Sequence, residues 1–217
     1  MMGILSSSIP IRTDHRLPIA VMASGAGTTL EAIIYRSLAI DANFRVALVV
    51  SNNSQCGAMT FADMFFIPKA HISGGVYPDH NMMEQSMLNI FAEHHIQMIV
   101  LAGYMKKIPS SILRVYENRI INIHPALLPK FGGEGMYGIN VHHAVIESGD
   151  TISGTTVHYV ADEYDTGAII AQESVEVYSG MSAQALAYTV QSVERVLYPA
   201  TIQRIAANIR EQQEAMS

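Results

Sequence analysis

The chain has 217 residues, 49% of them hydrophobic and 15% charged, which is enough for one well-filled core and short for two domains. A net charge of −6 with no Lys/Arg run argues against nucleic acid as a partner. The single cysteine, Cys56, excludes an internal disulfide and a multi-cysteine zinc site, and suits a reducing cytoplasm. The adjacent pairs His94-His95 and His142-His143 lack the spacing that puts two imidazoles on one helical face, so no metal is expected. No apolar run is long enough to span a membrane, so no membrane association is expected. Residues 1–16 lack a signal-peptide pattern and are expected to form a flexible tail ahead of one domain, residues 17–217.

Residues 17–23 form a short, almost wholly apolar run, the pattern of a strand buried on both faces. Ser24-Gly25-Ala26-Gly27-Thr28-Thr29 follows, and Leu30 to Ile34 are at helical spacing. Strand, glycine turn and helix aim backbone N–H groups and a helix dipole at an anion, and the Ser24, Thr28 and Thr29 hydroxyls can add donors. The segment fails as a dinucleotide fingerprint. Leu30 stands at the third glycine position, and the next strand, residues 44–50, ends in Ser51-Asn52-Asn53 with no acid for a ribose diol. The lysine of a triphosphate loop is also missing. A monophosphate is the expected ligand, with a tight turn that binds nothing as the alternative.

Residues 55–64 are expected to be helical and residues 65–70 a short strand. Asp79 can cap a helix whose Met83, Met87, Ile90, Phe91 and His94 share one core-facing stripe. Residues 97–102 form a third buried strand that leads into the loop 103–107. Pro109 opens a short helix to about residue 116, and residues 119–124 are the next strand. Strands separated by helices predict an α/β fold: a doubly wound, mostly parallel sheet with helices on both faces and ligands beyond the carboxyl ends of the strands.

On the strand ending at His124, Ile121 and Ile123 face one side and Asn122 and His124 the other. Pro125 and Pro129 stop both strand and helix, so the chain leaves the sheet there. An amide N–H at a strand exit can donate to a developing oxyanion, and an imidazole can carry a proton near neutral pH. On this segment alone, an apolar strand that merely ends in two polar residues remains the simpler reading. Residues 130–138 contain four glycines in nine positions and are expected to be a mobile loop beside the site. Residues 141–148 are expected as a helix, and residues 153–160 alternate as a strand on which His158 is expected to be packed rather than catalytic. Residues 161–167 crowd Asp162, Glu163 and Asp165 into a turn, and residues 168–177 return as a strand. From about residue 182 a long helix is expected, kinked or interrupted at Pro199, with Glu194 as an ordinary surface acid and residues 211–217 frayed.

Together, ASGAGTTLEAI (23–33), SNN (51–53), LAGYMKKI (101–108), NIHPALLP (122–129), GTTVHYVADEYDTGAII (154–170) and VERVLYP (193–199) resemble the phosphoribosylglycinamide formyltransferase family of purine synthesis. The likeness runs over residues 17–204. It implies a Rossmann-like formyltransferase fold with antiparallel strands added in the C-terminal half. Residues 17–118 would then be the ribonucleotide half and residues 119–217 the catalytic and folate half. The implied activity is transfer of a formyl group from the co-substrate 10-formyltetrahydrofolate to glycinamide ribonucleotide, with no metal, by a cytoplasmic monomer or homodimer. By matching position, Asn122, His124 and Asp165 are catalytic, with Asp165 raising the His124 pKa. Gly25, Gly27, Thr28, Thr29 and Glu194 bind the ribonucleotide, and Met105, Lys106, Lys107, Ile108 and Asn122 bind the folate. The family usually has Asn at the position of Thr29, and a basic residue often found near Asp79-His80-Asn81 is missing.

Formyltetrahydrofolate deformylases and methionyl-tRNA formyltransferases are similar around the same three residues. The first have an added N-terminal domain and the second a C-terminal barrel and basic surface, neither expected here. A sugar-nucleotide formyltransferase fits the phosphate turn less well. Outside formyl transfer, the alternatives are a nucleotide sensor of the same fold and, more distantly, a NAD-dependent enzyme.

Overall fold

A computed structural model describes residues 14–215. Seven strands form one sheet in the order β3-β2-β1-β4-β5-β6-β7. β1 (Leu17–Met22), β2 (Phe44–Ser51), β3 (Lys69–His71), β4 (Met98–Leu101) and β5 (Ile120–His124) run parallel. β6 (Ile152–Tyr159) and β7 (Ile169–Glu176) extend the sheet antiparallel beyond β5.

The period of two along β1 sorts its side chains onto two cores. Leu17, Ile19 and Val21 pack with Leu30, Ile33 and Ile34 of α1 (Thr28–Ser37), Ala58 and Met59 of α2 (Gly57–Met64), and Tyr198 and Ile202 of α6 (Ala183–Ala215). Ala20 and Met22 pack on the other face with Met87 and Phe91 of α3 (His80–Glu93) and Ile112 of α4 (Ser110–Val115). Asp79 caps α3, accepting from the backbone N–H of Asn81 at 2.8 Å. The ten-residue helix α5 (Ile139–Ser148) ends at Gly149, whose φ of 73° is the left-handed stop that glycine tolerates.

Several boundaries differ from expectation. The strand expected at residues 65–70 begins only at Lys69, because Phe66 at φ 54° turns the chain while the Ile67 N–H still bonds back to the Ala62 carbonyl. α6 runs unbroken through Pro199, which is buried in the helix. Its end is also helical through Ala215 rather than frayed, since the Arg210 guanidinium donates to Asn43 Oδ1 at 3.1 Å and the Gln213 amide to Gln97 Oε1 at 2.9 Å. Of the expected tail, residues 1–13 lie outside the described residues. Arg16 donates to the Ser37 carbonyl at 3.0 Å and pairs with Asp14, which ties the described part to α1. No helix among the described residues is long and apolar enough to cross a membrane.

Candidate active site

Beyond the carboxyl ends of β1, β4 and β5 lies a cavity of about 760 Å³. One wall is the turn between β1 and α1. Gly27 caps α1 at φ 83°, and a Cβ there would stand 2.8 Å from the Ala58 backbone, so the turn fits against α2 only as glycine. The first-turn N–H groups of α1 have no carbonyl of a preceding turn to bond, which leaves donors for an anion. Thr28 Oγ1 accepts from the Gln191 amide of α6 at 3.0 Å, so its own proton stays available. Gly25, Gly27, Thr28 and Thr29 all line the cavity.

The opposite wall is built where β5 runs out. Asn122 and His124 point to the same side, and β6 brings His158 directly opposite Asn122 in the antiparallel register. His158 Nδ1 donates to the Tyr159 carbonyl at 2.8 Å, so its Nε2 presents a lone pair to the Asn122 amide N–H at 3.1 Å. The second amide N–H then remains for the cavity. The turn after β6 carries Asp165 at φ 56°, a conformation that aspartate tolerates better than most residues. Its carboxylate meets two rings, His124 Nδ1 at 3.4 Å and His158 Nε2 at 3.5 Å. His124 Nε2 donates to the Phe131 carbonyl at 2.8 Å.

The electrostatics of this group are set by competition. Burial raises the Asp165 carboxyl, but the contact with His158, the neighbouring His124 and the Gly133 N–H together outweigh it and hold the acid below its ordinary value. For His124 the balance goes the other way. Burial lowers its pKa more than Asp165 and the Phe131 carbonyl raise it, and His158 lowers it further. The expected upward shift from Asp165 is therefore real as a contribution and reversed in the sum, because the ring is 96% removed from solvent at its side chain while the carboxylate is 3.4 Å away, too far for a strong hydrogen bond.

Glu194 is not the surface acid expected of its helix. α6 turns it into the cavity, where burial raises its pKa to about 7 against the opposing bond to Thr155. Met105 also lines the cavity, beside Tyr104. Lys106 and Lys107 stand outside its lining, with Lys107 Nζ 5.9 Å from the Tyr164 ring centre. Ile108 is 3% exposed, packs in the core with Ile112 and is not among the residues that line the cavity. Residues 133–138 of the glycine-rich loop complete the rim.

Sequence reasoning left out three neighbours of this site. His158 was expected only to pack, Gln191 carried no signal beyond a polar position on a helix, and His142 looked like half of an adjacent pair. His142 is 4% exposed on α5 and lines the cavity, and its Nδ1 has no hydrogen-bond partner among the described residues.

The family model for formyl transferases matches residues 17–202. The chain belongs to the formyl transferase family. Within the family it is 38% identical over 189 residues to the chloroplastic phosphoribosylglycinamide formyltransferase of Arabidopsis thaliana, covering 85% of this chain and 63% of that one. It thus spans under two thirds of the length of that plant relative. The phosphoribosylglycinamide formyltransferase of Bacillus subtilis is 33% identical over 186 residues, which cover 86% of this chain and 93% of that one. Glycinamide ribonucleotide transformylase 1 of Symbiobacterium toebii superposes with a TM-score of 0.83 at 30% identity over 90% of each chain. A formyltetrahydrofolate deformylase of Pseudomonas syringae has the same architecture, with a TM-score of 0.79 at 26% identity over 90% of this chain and 63% of that one. The mostly parallel sheet of this formyl transferase, with its two antiparallel strands, is the fold the sequence implied.

Proposed function

We propose that this formyl transferase moves the formyl group of 10-formyltetrahydrofolate onto the primary amine of glycinamide ribonucleotide, a step of purine synthesis. One observation carries the reading: an anion-binding turn and the Asn122, His124 and Asp165 group face each other across a single cavity. The turn takes the ribonucleotide phosphate, and Glu194 on α6 is within the same cavity to accept from sugar hydroxyls. The folate enters along Tyr104 and Met105.

The amine nitrogen attacks the formyl carbon, and the carbonyl π electrons move onto oxygen. The free Asn122 N–H and a protonated His124 stabilise that oxyanion. One proton leaves the attacking nitrogen, through His124 or a bound water, and reaches N10 of the folate as the C–N10 bond breaks. The products are the formylated ribonucleotide and tetrahydrofolate. Asp165 orients the imidazole and compensates its charge.

The test is incubation of the purified protein with a 10-formyl-folate analogue, with and without glycinamide ribonucleotide, followed by the absorbance of the deformylated product. Turnover that requires the amine supports the proposal. Equal turnover without amine would make the chain a deformylase, as in the Pseudomonas neighbour, and ribonucleotide binding with no turnover would make it a sensor.

A further inference from the structure

One short piece of backbone touches both members of the His124–Asp165 pair. The Phe131 carbonyl accepts from His124 Nε2 at 2.8 Å, and the Gly133 N–H donates to Asp165 Oδ2 at 3.0 Å. That same carboxylate oxygen faces His124 Nδ1 at 3.4 Å. Gly132 lies between the two grips. A Cβ on it would come within 2.6 Å of Leu128 Cδ2 and 3.2 Å of Asp165 Cβ, so the missing side chain is what lets the segment lie this close to the acid.

We infer that residues 131–133 form a backbone clamp that positions His124 and Asp165 against one another, with Gly132 as the positioning residue that sets its approach. The carbonyl fixes the rotation of the ring and favours its charged form, while the N–H fixes the rotation of the carboxylate. Because both contacts come from residues on either side of Gly132, displacing the segment weakens both at once. The inference rests on the reading of this pair as part of the reaction centre. The other titratable groups that act on His124 are His158 on β6 and His142 on α5, and neither belongs to the segment.

Gly132→Ala tests it. The backbone at this position is open to alanine, since no positive φ is required. We expect kcat to fall about tenfold or more, with both KM values within about threefold, because the phosphate turn and the wall at Met105 are untouched. The His124 ring titration, followed by NMR and identified by its loss in His124→Gln, should move down by roughly half a pH unit or more. Adding Leu128→Ala removes the closer of the two overlaps and should restore part of kcat and of the titration. The double variant also serves as the comparison if the single one does not fold. A kcat within about twofold of the parent, or a loss of kcat with the His124 titration unmoved, would overturn the clamp. An inactive parent would instead count against formyl transfer, and the titration would still decide on the clamp.

Discussion

Two groups on the cavity wall, the half-buried Glu194 and the buried His142, make stability depend on pH in opposite directions. Glu194 is raised from 4.5 to about 7 and His142 is lowered from 6.5 to about 4, both chiefly by burial. Folded Glu194 holds its proton more tightly than the unfolded chain does. Its contribution to stability is therefore complete below pH 4.5 and is lost as pH rises through about 7. Folded His142 releases its proton more readily, so the contribution of the neutral ring is complete above pH 6.5 and is lost as pH falls toward about 4. At about 1.4 kcal/mol per unit, each shift is worth at most roughly 3.5 kcal/mol, and about 2 kcal/mol once water at the cavity mouth is allowed for. The two slopes oppose each other in mildly acid solution, which leaves the parent profile flat there. Glu194→Gln removes one slope and His142→Gln the other. In thermal unfolding between about pH 5 and about pH 8, the stability gain of Glu194→Gln over the parent should grow toward high pH, by roughly 4–8 °C in Tm. The His142→Gln difference should grow toward low pH instead. If the Tm profiles of both variants ran parallel to that of the parent, neither group would be buried as described and the reasoning would fail.

Asn122→Ala should lower kcat by about 10²–10³ in the formyl-transfer assay if its cavity-facing N–H serves the oxyanion as proposed, while Tm stays within a few degrees because the loss to the fold is the one bond to His158. Gly27→Ala places a Cβ 2.8 Å from the Ala58 backbone at φ 83°. It should raise KM for the ribonucleotide by about tenfold or more while KM for the folate holds, as steady-state kinetics with each substrate varied will show. Tyr198→Phe deletes a buried hydroxyl that reaches the Leu101 and Ile121 carbonyls at 3.0 Å each. Urea unfolding should register a loss of about 1–3 kcal/mol.

What could be read from the sequence was what local periodicity determines. β1, β4 and β5 announce themselves as apolar runs because a parallel strand covered on both faces needs them. The same alternation put Asn122 and His124 on one side before any fold was known. The partners of those residues were not legible, because they depend on pairings across long stretches of chain. His158 meets Asn122 only through an antiparallel register that no spacing within either strand specifies. Glu194 lines the cavity because α6 lies on the sheet with that side toward it, and the direction a helix faces is a tertiary fact. Pro199 was misjudged for the same reason. Buried packing along a 33-residue helix outweighs the local cost of one missing N–H.

The low pKa of His124 bears on how the proposed reaction gains its rate. Before attack the ring is neutral, with its N–H given to Phe131 and its other nitrogen turned toward the Asp165 carboxylate at 3.4 Å. That lone pair and that carboxylate repel, and burial, with a smaller contribution from His158, disfavours a proton between them. An oxyanion forming over Asn122 changes the balance. At a separation of about 4 Å and an effective dielectric constant of about 20, it would attract an imidazolium by about 4 kcal/mol, equivalent to about three pKa units. The charge on His124 would then appear together with the charge it stabilises. A histidine already cationic in the resting site would hold substrate and tetrahedral intermediate more evenly, and only the difference between the two accelerates the reaction.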